Sequence, residues 1–377
     1  MAATTAQRVT IAAYTRHGLT TVEELRHVLA EIESAETPMD LRRLLTRLRG
    51  PGWPLAEKLL DVMPRSGTEV YADFYLWYHA ADGRRGRDWM ASPMASPGDV
   101  LELQQSPGDL LVDDDTRRRF EREHATLQNL THPHIEPCLG YGIVVEDAPY
   151  RLTPLREGGT LRRFLDRRGR LGVAEILVVA VQAARGLDAA HDAGLVHRDL
   201  DAYGIGLTTS GGLQILDLGR AGDRALVVPP RVSPLTPRAG QDWTAGKKAA
   251  DEGTRHWRKV DRTRLELWRL PANPPAPEAK YGVVPDARSD VFQLGVLLVQ
   301  ALTGQIRTEN GWPSGDPLAR YPDLEHGLAR LLAACLEEDP TKRPSATEVV
   351  AYGEALMEAQ RLPRNQGLFA GGAPGAR

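Results

Sequence analysis

Hydrophobic and polar positions along this chain fall into three regimes. Through residue 66 the spacing is helical: Val22, Leu25, Val28, Leu29 and Ile32 make one apolar stripe, and Leu41, Leu44, Leu45 and Leu48 make another. Thr21-x-x-Glu24 is a capping-box signal, Thr37-Pro38-x-Asp40 opens the second helix, and Gly50 stops it. A third helical stretch, PLAEKLLDVM, ends at Pro64. Residues 1–66 are expected to form a helical extension.

From Thr68 the period shortens. EVYADFYLWYHAAD is aromatic-rich with partial alternation, Asp82-Gly83 is a hairpin signal, and DVLELQQ alternates cleanly, so these stretches predict strands. Asp113-Asp114-Asp115-Thr116 then places negative charge at the start of a helix, RRRFEREHATLQNL, on which Phe120, Glu123, His124 and Leu127 share a face. Two more strands are expected, around Cys138–Val145 and Tyr150–Leu155.

After Gly158-Gly159 the pattern turns mostly helical. GVAEILVVAVQAARGLDAAHDAG carries Ile176, Val179, Ala180, Ala183 and Leu187 on one face and stops at Gly194. SDVFQLGVLLVQALTG has Ser289 as its expected N-cap, Gly304 at its end and apolar residues nearly all round, which predicts a buried central helix. LARLLAACLEED and ATEVVAYGEALMEAQRL follow, and the Gly/Ala-rich tail from Pro363 is expected to be disordered.

Composition narrows the function classes. At 377 residues the chain has room for a bilobal domain with an appendage, and a net charge of −3 argues against nucleic acid or an anionic membrane as a global partner. No run approaches the roughly 18 apolar residues of a membrane span. Cys138 and Cys335 sit singly in apolar surroundings, without metal-ligand spacing, and read as core thiols of a soluble cytoplasmic protein. Only six of the 47 basic residues are lysines, and none lies between Lys58 and Lys247.

The candidate chemistry centres on VHRDLDAYGIGLTTSGGLQILDLG, residues 196–219. Asp199 and Asp217 lie eighteen positions apart, each ending a short apolar run, with a turn at Ser210-Gly211-Gly212 between them. His197-Arg198-Asp199-Leu200 and Asp217-Leu218-Gly219 resemble the H-R-D-L-x-x-x-N and D-F-G loops of protein kinases, here of the bacterial Ser/Thr (Hanks) type. The resemblance covers about residues 70–360. It gives Glu123 the place of the helix C glutamate, Thr153 that of the gatekeeper, and Leu155 and Arg156 the adenine-binding hinge, Arg156 supplying its amide. Ala276-Pro277-Glu278 resembles the motif closing the activation segment, Arg343 its arginine partner, and Ser289-Asp290 with Gly295 the anchoring helix.

The implied fold is α+β and bilobal. It comprises a β-rich N-lobe with one helix (67–155), a mainly helical C-lobe (156–362), the helical extension (1–66) and the tail (363–377). The implied chemistry is base catalysis by Asp199 and magnesium binding by Asp217. Several positions depart from the pattern. The strand lysine of the family falls on Gln104, nineteen residues before Glu123, and alternation turns Glu102 the same way, where the family keeps an alanine above adenine. Gly204 replaces the magnesium-binding asparagine, and Gly206 replaces a large apolar residue beneath the adenine, a contact worth about 1.5–3 kcal/mol. The Gly-rich loop reduces to Gly83-Arg84-Arg85-Gly86, whose two arginines are the candidate relocated cations.

Sixty residues separate Asp217 from Glu278, with an insert at about 222–275. The insert joins a Pro-rich piece to a basic one in which Trp257 and Trp268 are interleaved, a composition suited to docking an acidic protein or, less in keeping with the net charge, nucleic acid. Three readings result. The first is a pseudokinase that needs no cofactor and binds a protein partner through the N-terminal helices or the insert. The second is an atypical active Ser/Thr kinase using Mg-ATP. The third is a recognition subunit or fragment of a larger signalling or defence assembly. Partner identity and oligomeric state are not set by the sequence.

Overall fold

In the computed structural model the described residues are 69–363, excepting 72, 84–85, 97–98, 107–113, 145–147, 157, 209, 220–274, 306–311, 313–315, 317, 319–320 and 322–323. The helices expected in 1–66, Arg84 and Arg85, all but the end of the insert, and the tail beyond 363 lie outside them.

Six strands form one antiparallel sheet in the order β1-β2-β3-β4-β6-β5: β1 (Glu69–Tyr71), β2 (Phe74–Gly83), β3 (Gly86–Pro93), β4 (Leu101–Gln105), β5 (Gly140–Val144) and β6 (Ala148–Pro154). The Asp82-Gly83 signal is met by a tight hairpin, with Gly83 opposite Gly86. Strand β4 is flanked by β3 and β6 and alternates cleanly. Leu101 and Leu103 pack with Leu76 and Ala91 on one face, joined by Phe74, Trp89, Tyr150 and Leu152. Glu102 and Gln104 take the other face, and both are buried there. Helix α1 (Asp114–Asn129) begins with Asp114 and Asp115 in its first turn and buries Phe120, His124 and Leu127, with Phe120 edge-on to Tyr141 at 6.1 Å.

The helical part is organised on α3 (Val173–Asp192) and α4 (Ala287–Thr303), which follow the short α2 (Leu161–Arg168) and precede α5 (His326–Cys335) and α6 (Ala346–Ala359). Helix α4 is buried on nearly all sides, as its composition predicts, and Gly304 closes it in the left-handed region at φ 73°. Its N-cap is Asp286 rather than Ser289. The Asp286 carboxylate accepts from the Arg288 and Ser289 amides, while the Ser289 hydroxyl accepts from the Asp286 amide, so Ser289 completes a capping box from the third position.

A two-stranded ribbon, β7 (Ile205–Leu207) and β8 (Leu213–Ile215), lies beside these helices. The chain leaving β6 must pass close to it: a Cβ on Gly158 would stand 1.8 Å from the Leu207 carbonyl oxygen, so only glycine fits. The Leu207 amide donates to the Gly159 carbonyl, and Thr160 bridges Gly206. Those contacts tie the sheet's exit to the loop bearing Asp217. Among the described residues no helix is long and apolar enough to cross a membrane.

Candidate functional site

The loop between α3 and β7 carries Asp199, and its backbone is held from below by α4. Fully buried Asp290 accepts from the His197 amide at 2.8 Å and the Arg198 amide at 2.7 Å, and also bonds His191 Nε2 at 2.9 Å. Gln293 accepts from the Leu200 amide and donates to the Arg198 carbonyl. This enclosure holds Arg198 at φ 68°, a conformation costing a side-chain-bearing residue about 1–3 kcal/mol. His197 Nε2 bonds the Leu216 carbonyl at 2.9 Å, coupling the loop to the Asp217 turn, where Asp217 itself sits at φ 59°. Asp199 is half-buried in this loop. Asp201 accepts from the Tyr203 and Gly204 amides, both at 2.9 Å, and so closes the turn.

Opposite this loop stands the polar face of the sheet. The register pairs Gln104 with Arg151 and Glu102 with Thr153, which puts all four on the face toward Asp217. The Arg151 guanidinium lies beside Gln104, the position that the resemblance gives to the family's lysine. Its Nε and Nη2 donate to Gln104 Oε1 at 2.9 and 2.7 Å, and its Nη1 donates to the Leu218 carbonyl at 2.8 Å. Nη2 also pairs with Glu136 at 2.9 Å and stands 3.8 Å from Asp217. Arg84 and Arg85, the candidate relocated cations, lie outside the described residues; the cation beside Gln104 among the described residues comes from β6.

The hinge is also engaged from within. The Arg156 amide, which the resemblance assigns to adenine, donates to Glu102 Oε1 at 3.1 Å. The side chain of Arg156 folds back beside its own amide, with Nη2 at 2.8 Å from Glu136 and 3.2 Å from Glu102. Three carboxylates and two guanidinium groups thus share one buried cluster. Burial raises the Glu136 pKa, and Arg156 and Arg151 offset this only in part. Burial alone would lower the Arg156 pKa, but Glu102, Glu136 and Asp217 more than reverse that and keep it ionised.

Glu123 does not meet Gln104. It pairs with Arg119 and Arg198, each at 3.1 Å, joining α1 to the loop below rather than to β4. The contact expected to be missing at Gly206 is filled by a neighbour: a Cβ there would stand 2.7 Å from Leu216 Cδ2. At Gly204, by contrast, an added Cβ would meet Asp201 and His197 at 3.4 Å, so space does not exclude a side chain. Thr153 is fully buried opposite Glu102, and Leu155 is half-buried at the hinge. The Glu278–Arg343 pairing is present and bidentate, at 2.8 and 2.7 Å, with the Ser289 hydroxyl also donating to Glu278.

Several of the residues that the resemblance assigns to Mg-ATP are engaged with one another. The Arg156 amide donates to Glu102, the Arg156 guanidinium pairs with Glu102 and Glu136, and Asp217 stands 3.8 Å from Arg151. No cluster of three or more His, Cys, Asp or Glu among the described residues is placed to hold a metal. The residues that sequence reasoning missed are Arg151 and Glu136. Alternation back from Thr153 would have put Arg151 on the cleft face, whereas nothing local marks Glu136.

Residues 111–225 match the family model for protein tyrosine and serine/threonine kinases. The chain is 30% identical over 263 residues to the serine/threonine-protein kinase PknK of Mycobacterium tuberculosis, covering 66% of this chain and 20% of that protein. It is 29% identical over 288 residues to PkaB of Streptomyces coelicolor, covering 73% of this chain and 61% of that one. It therefore spans a fifth of the first relative's length and under two thirds of the second's. The fold matches the crystal structure of the M. tuberculosis PknI kinase domain with a TM-score of 0.57 at 21% identity, over 79% of this chain and all of that one. A β-sheet lobe and a helical lobe, with the Asp290-anchored loop and the Glu278–Arg343 pair, give this chain the protein-kinase fold, and its similarity to bacterial serine/threonine kinases supports a Hanks-type kinase-like domain.

Proposed function

We propose that this chain is a pseudokinase that works by binding a protein partner rather than by transferring phosphate. The observation that carries the reading is the engaged hinge: Glu102 accepts from the Arg156 amide, and the Arg156 guanidinium pairs with Glu102 and Glu136. Gly204, which cannot ligate magnesium through a side chain, supports it. So does the use of Glu123 as a partner of Arg198 rather than of a strand cation. In this reading Asp199, Asp201 and Asp290 serve the loop's architecture, and the docking elements are the 1–66 segment or the 222–275 insert.

Arg151 favours a second reading, an atypical active Ser/Thr kinase with Asp199 as base, Asp217 on magnesium and Arg151 as the phosphate-facing cation. Thermal-shift and radiolabel assays with Mg-ATP separate the two. The pseudokinase is expected to show neither a melting shift nor phosphate incorporation. A shift together with incorporation abolished in both Asp199→Ala and Asp217→Ala would replace the first reading by the second.

A further inference from the structure

We propose that the arginine-rich end of α2 is an interaction surface, and that its occupant is the acidic stretch at residues 23–40 of this same chain. The contact deepens the partner-binding reading and rests on it for one consequence. It keeps the 1–66 segment, one of that reading's docking elements, against the helical lobe until a competitor displaces it.

The surface is built from charge and fixed by its surroundings. Residues 162–170 hold five arginines and one aspartate, a net charge of +4 in a chain whose whole net charge is −3. Leu161 and Leu165 are buried beneath α2, which turns Arg163 and Arg167, four positions apart, to the same outward side. Residues 166–170 are all exposed. Asp166 pairs with Arg162 and stands 3.8 Å from Arg163. Glu175 pairs with Arg168 while accepting from the Gly172 amide at 2.8 Å to cap α3. Even with Glu175 added, the balance of charge is +3. Arg170 is bonded to the neutral Tyr321 hydroxyl at 3.0 Å, and its stem lies 3.4 Å from where a Gly304 Cβ would stand. Arg162, Arg168 and Arg170 are thus already held, so little side-chain freedom is lost when an occupant arrives. A place in the last helical turn accounts for Arg167 and Arg168, which complement the helix dipole, but not for Arg162, Arg163 and Arg170. At Gly169 an added Cβ would meet nothing within 4 Å, which leaves room over the turn.

Charge and tether select the occupant. Residues 23–40 hold six carboxylates and one arginine, a net charge of −5 with His27 neutral. Glu24 and Glu31, seven positions apart, fall off the apolar stripe of Val22, Leu25, Val28, Leu29 and Ile32, so engaging them leaves that stripe for packing. Residues 41–68 join the stretch to β1, and at the helical rise these 28 residues span about 42 Å, comparable with the breadth of a domain of this size. A tethered segment also meets the surface at a high effective concentration. Exposed ion pairs are individually weak and screened by salt, which suits a contact that must be released.

The experiment uses the full chain carrying Arg167→Lys and Arg170→Lys, which keep the charge and offer amines to a zero-length carbodiimide cross-linker. Isotopically labelled and unlabelled copies are mixed, so that mass spectrometry separates links within one chain from links between two. The expected product is an amide between an introduced lysine and a carboxylate of residues 23–40 in the same copy, about tenfold less abundant at about 1 M salt. Hydrogen exchange tests the charges, with the α3 and α4 amides as the folding check. Arg163→Glu/Arg167→Glu/Arg170→Glu should speed exchange in residues 23–40 about tenfold, the worth of three exposed ion pairs, and adding Glu24→Arg/Glu31→Arg/Glu36→Arg should slow it again. The absence of links to residues 23–40, links formed only between copies, or faster exchange that the swapped charges do not reverse would each overturn the contact. Any of these leaves the pseudokinase reading in place, since nucleotide binding and phosphate transfer decide that reading.

Discussion

Arg151→Met is the sharpest test of the buried cluster as a structural unit. With Arg151 present, Glu102, Glu136 and Asp217 face two guanidinium groups; without it they face only Arg156. The substitution leaves Gln104 Oε1 and the Leu218 carbonyl without that donor, at about 1–3 kcal/mol each. Breaking a buried charge pair from one side costs about 3–5 kcal/mol by itself, so a loss near 4 kcal/mol is expected at neutral pH. That is a large fraction of the roughly 5–15 kcal/mol that holds an ordinary domain folded.

The loss should also depend on pH. Burial already raises the Glu136 pKa, and Arg151 is one of the groups holding it down. A carboxyl whose pKa is raised on folding favours the folded state fully below its unfolded value, and that benefit is lost as pH rises through the folded value. Without Arg151 the folded value climbs further, so the variant suffers most at neutral and alkaline pH and recovers as Glu136 takes up a proton. Urea unfolding followed by circular dichroism at about pH 8 and about pH 5.5 measures both quantities. A deficit under about 1 kcal/mol, or one equal at the two pH values, would refute the cluster's electrostatic role.

Other positions give independent tests. Asp290→Ala removes the acceptor of the His197 and Arg198 amides, so it is expected to cost about 3 kcal/mol or more and to speed hydrogen exchange at those two amides specifically. Gly206→Leu forces Leu216 aside and should destabilise by about 1–3 kcal/mol in thermal unfolding; an unchanged or raised Tm would show that the space is open after all. Burial would raise the Glu278 pKa, but bonds from Arg343 and Ser289 reverse this and hold it below the usual carboxylate range. Its contribution is therefore present above the unfolded value and lost as pH falls through the folded one. Arg343→Ala should accordingly flatten the acid limb of the stability profile. Cys335 is fully buried, with its pKa pushed up to about 12 by desolvation, so a thiol reagent should label it only at the rate of unfolding.

The sequence by itself determined the elements and their family arrangement. Period and punctuation sufficed for the β2–β3 hairpin, α1, α3 and the all-round apolar α4, because those signals are local and repeat within each element. The motifs at 197–200 and 217–219, with Glu278 and Arg343, named the family because its loops need those residue types at those separations. Alternation also put Glu102 and Gln104 on the cleft face, where they lie. Ser289 misled, since a capping box is read alike from either end and Asp286 holds the cap. What only the tertiary structure decided was the pairing of charges in the cleft. Whether Glu102 meets the Arg156 amide, whether Glu123 turns to Gln104 or Arg198, and whether a cation stands beside Gln104 all depend on strand register and on loops distant in sequence. Arg151 reaches Gln104 from a neighbouring strand and is met by Glu136 from the turn after α1, through contacts spanning 47 and 15 residues. No local pattern encodes such contacts, because a buried charge is tolerated only where the assembled fold brings it a partner.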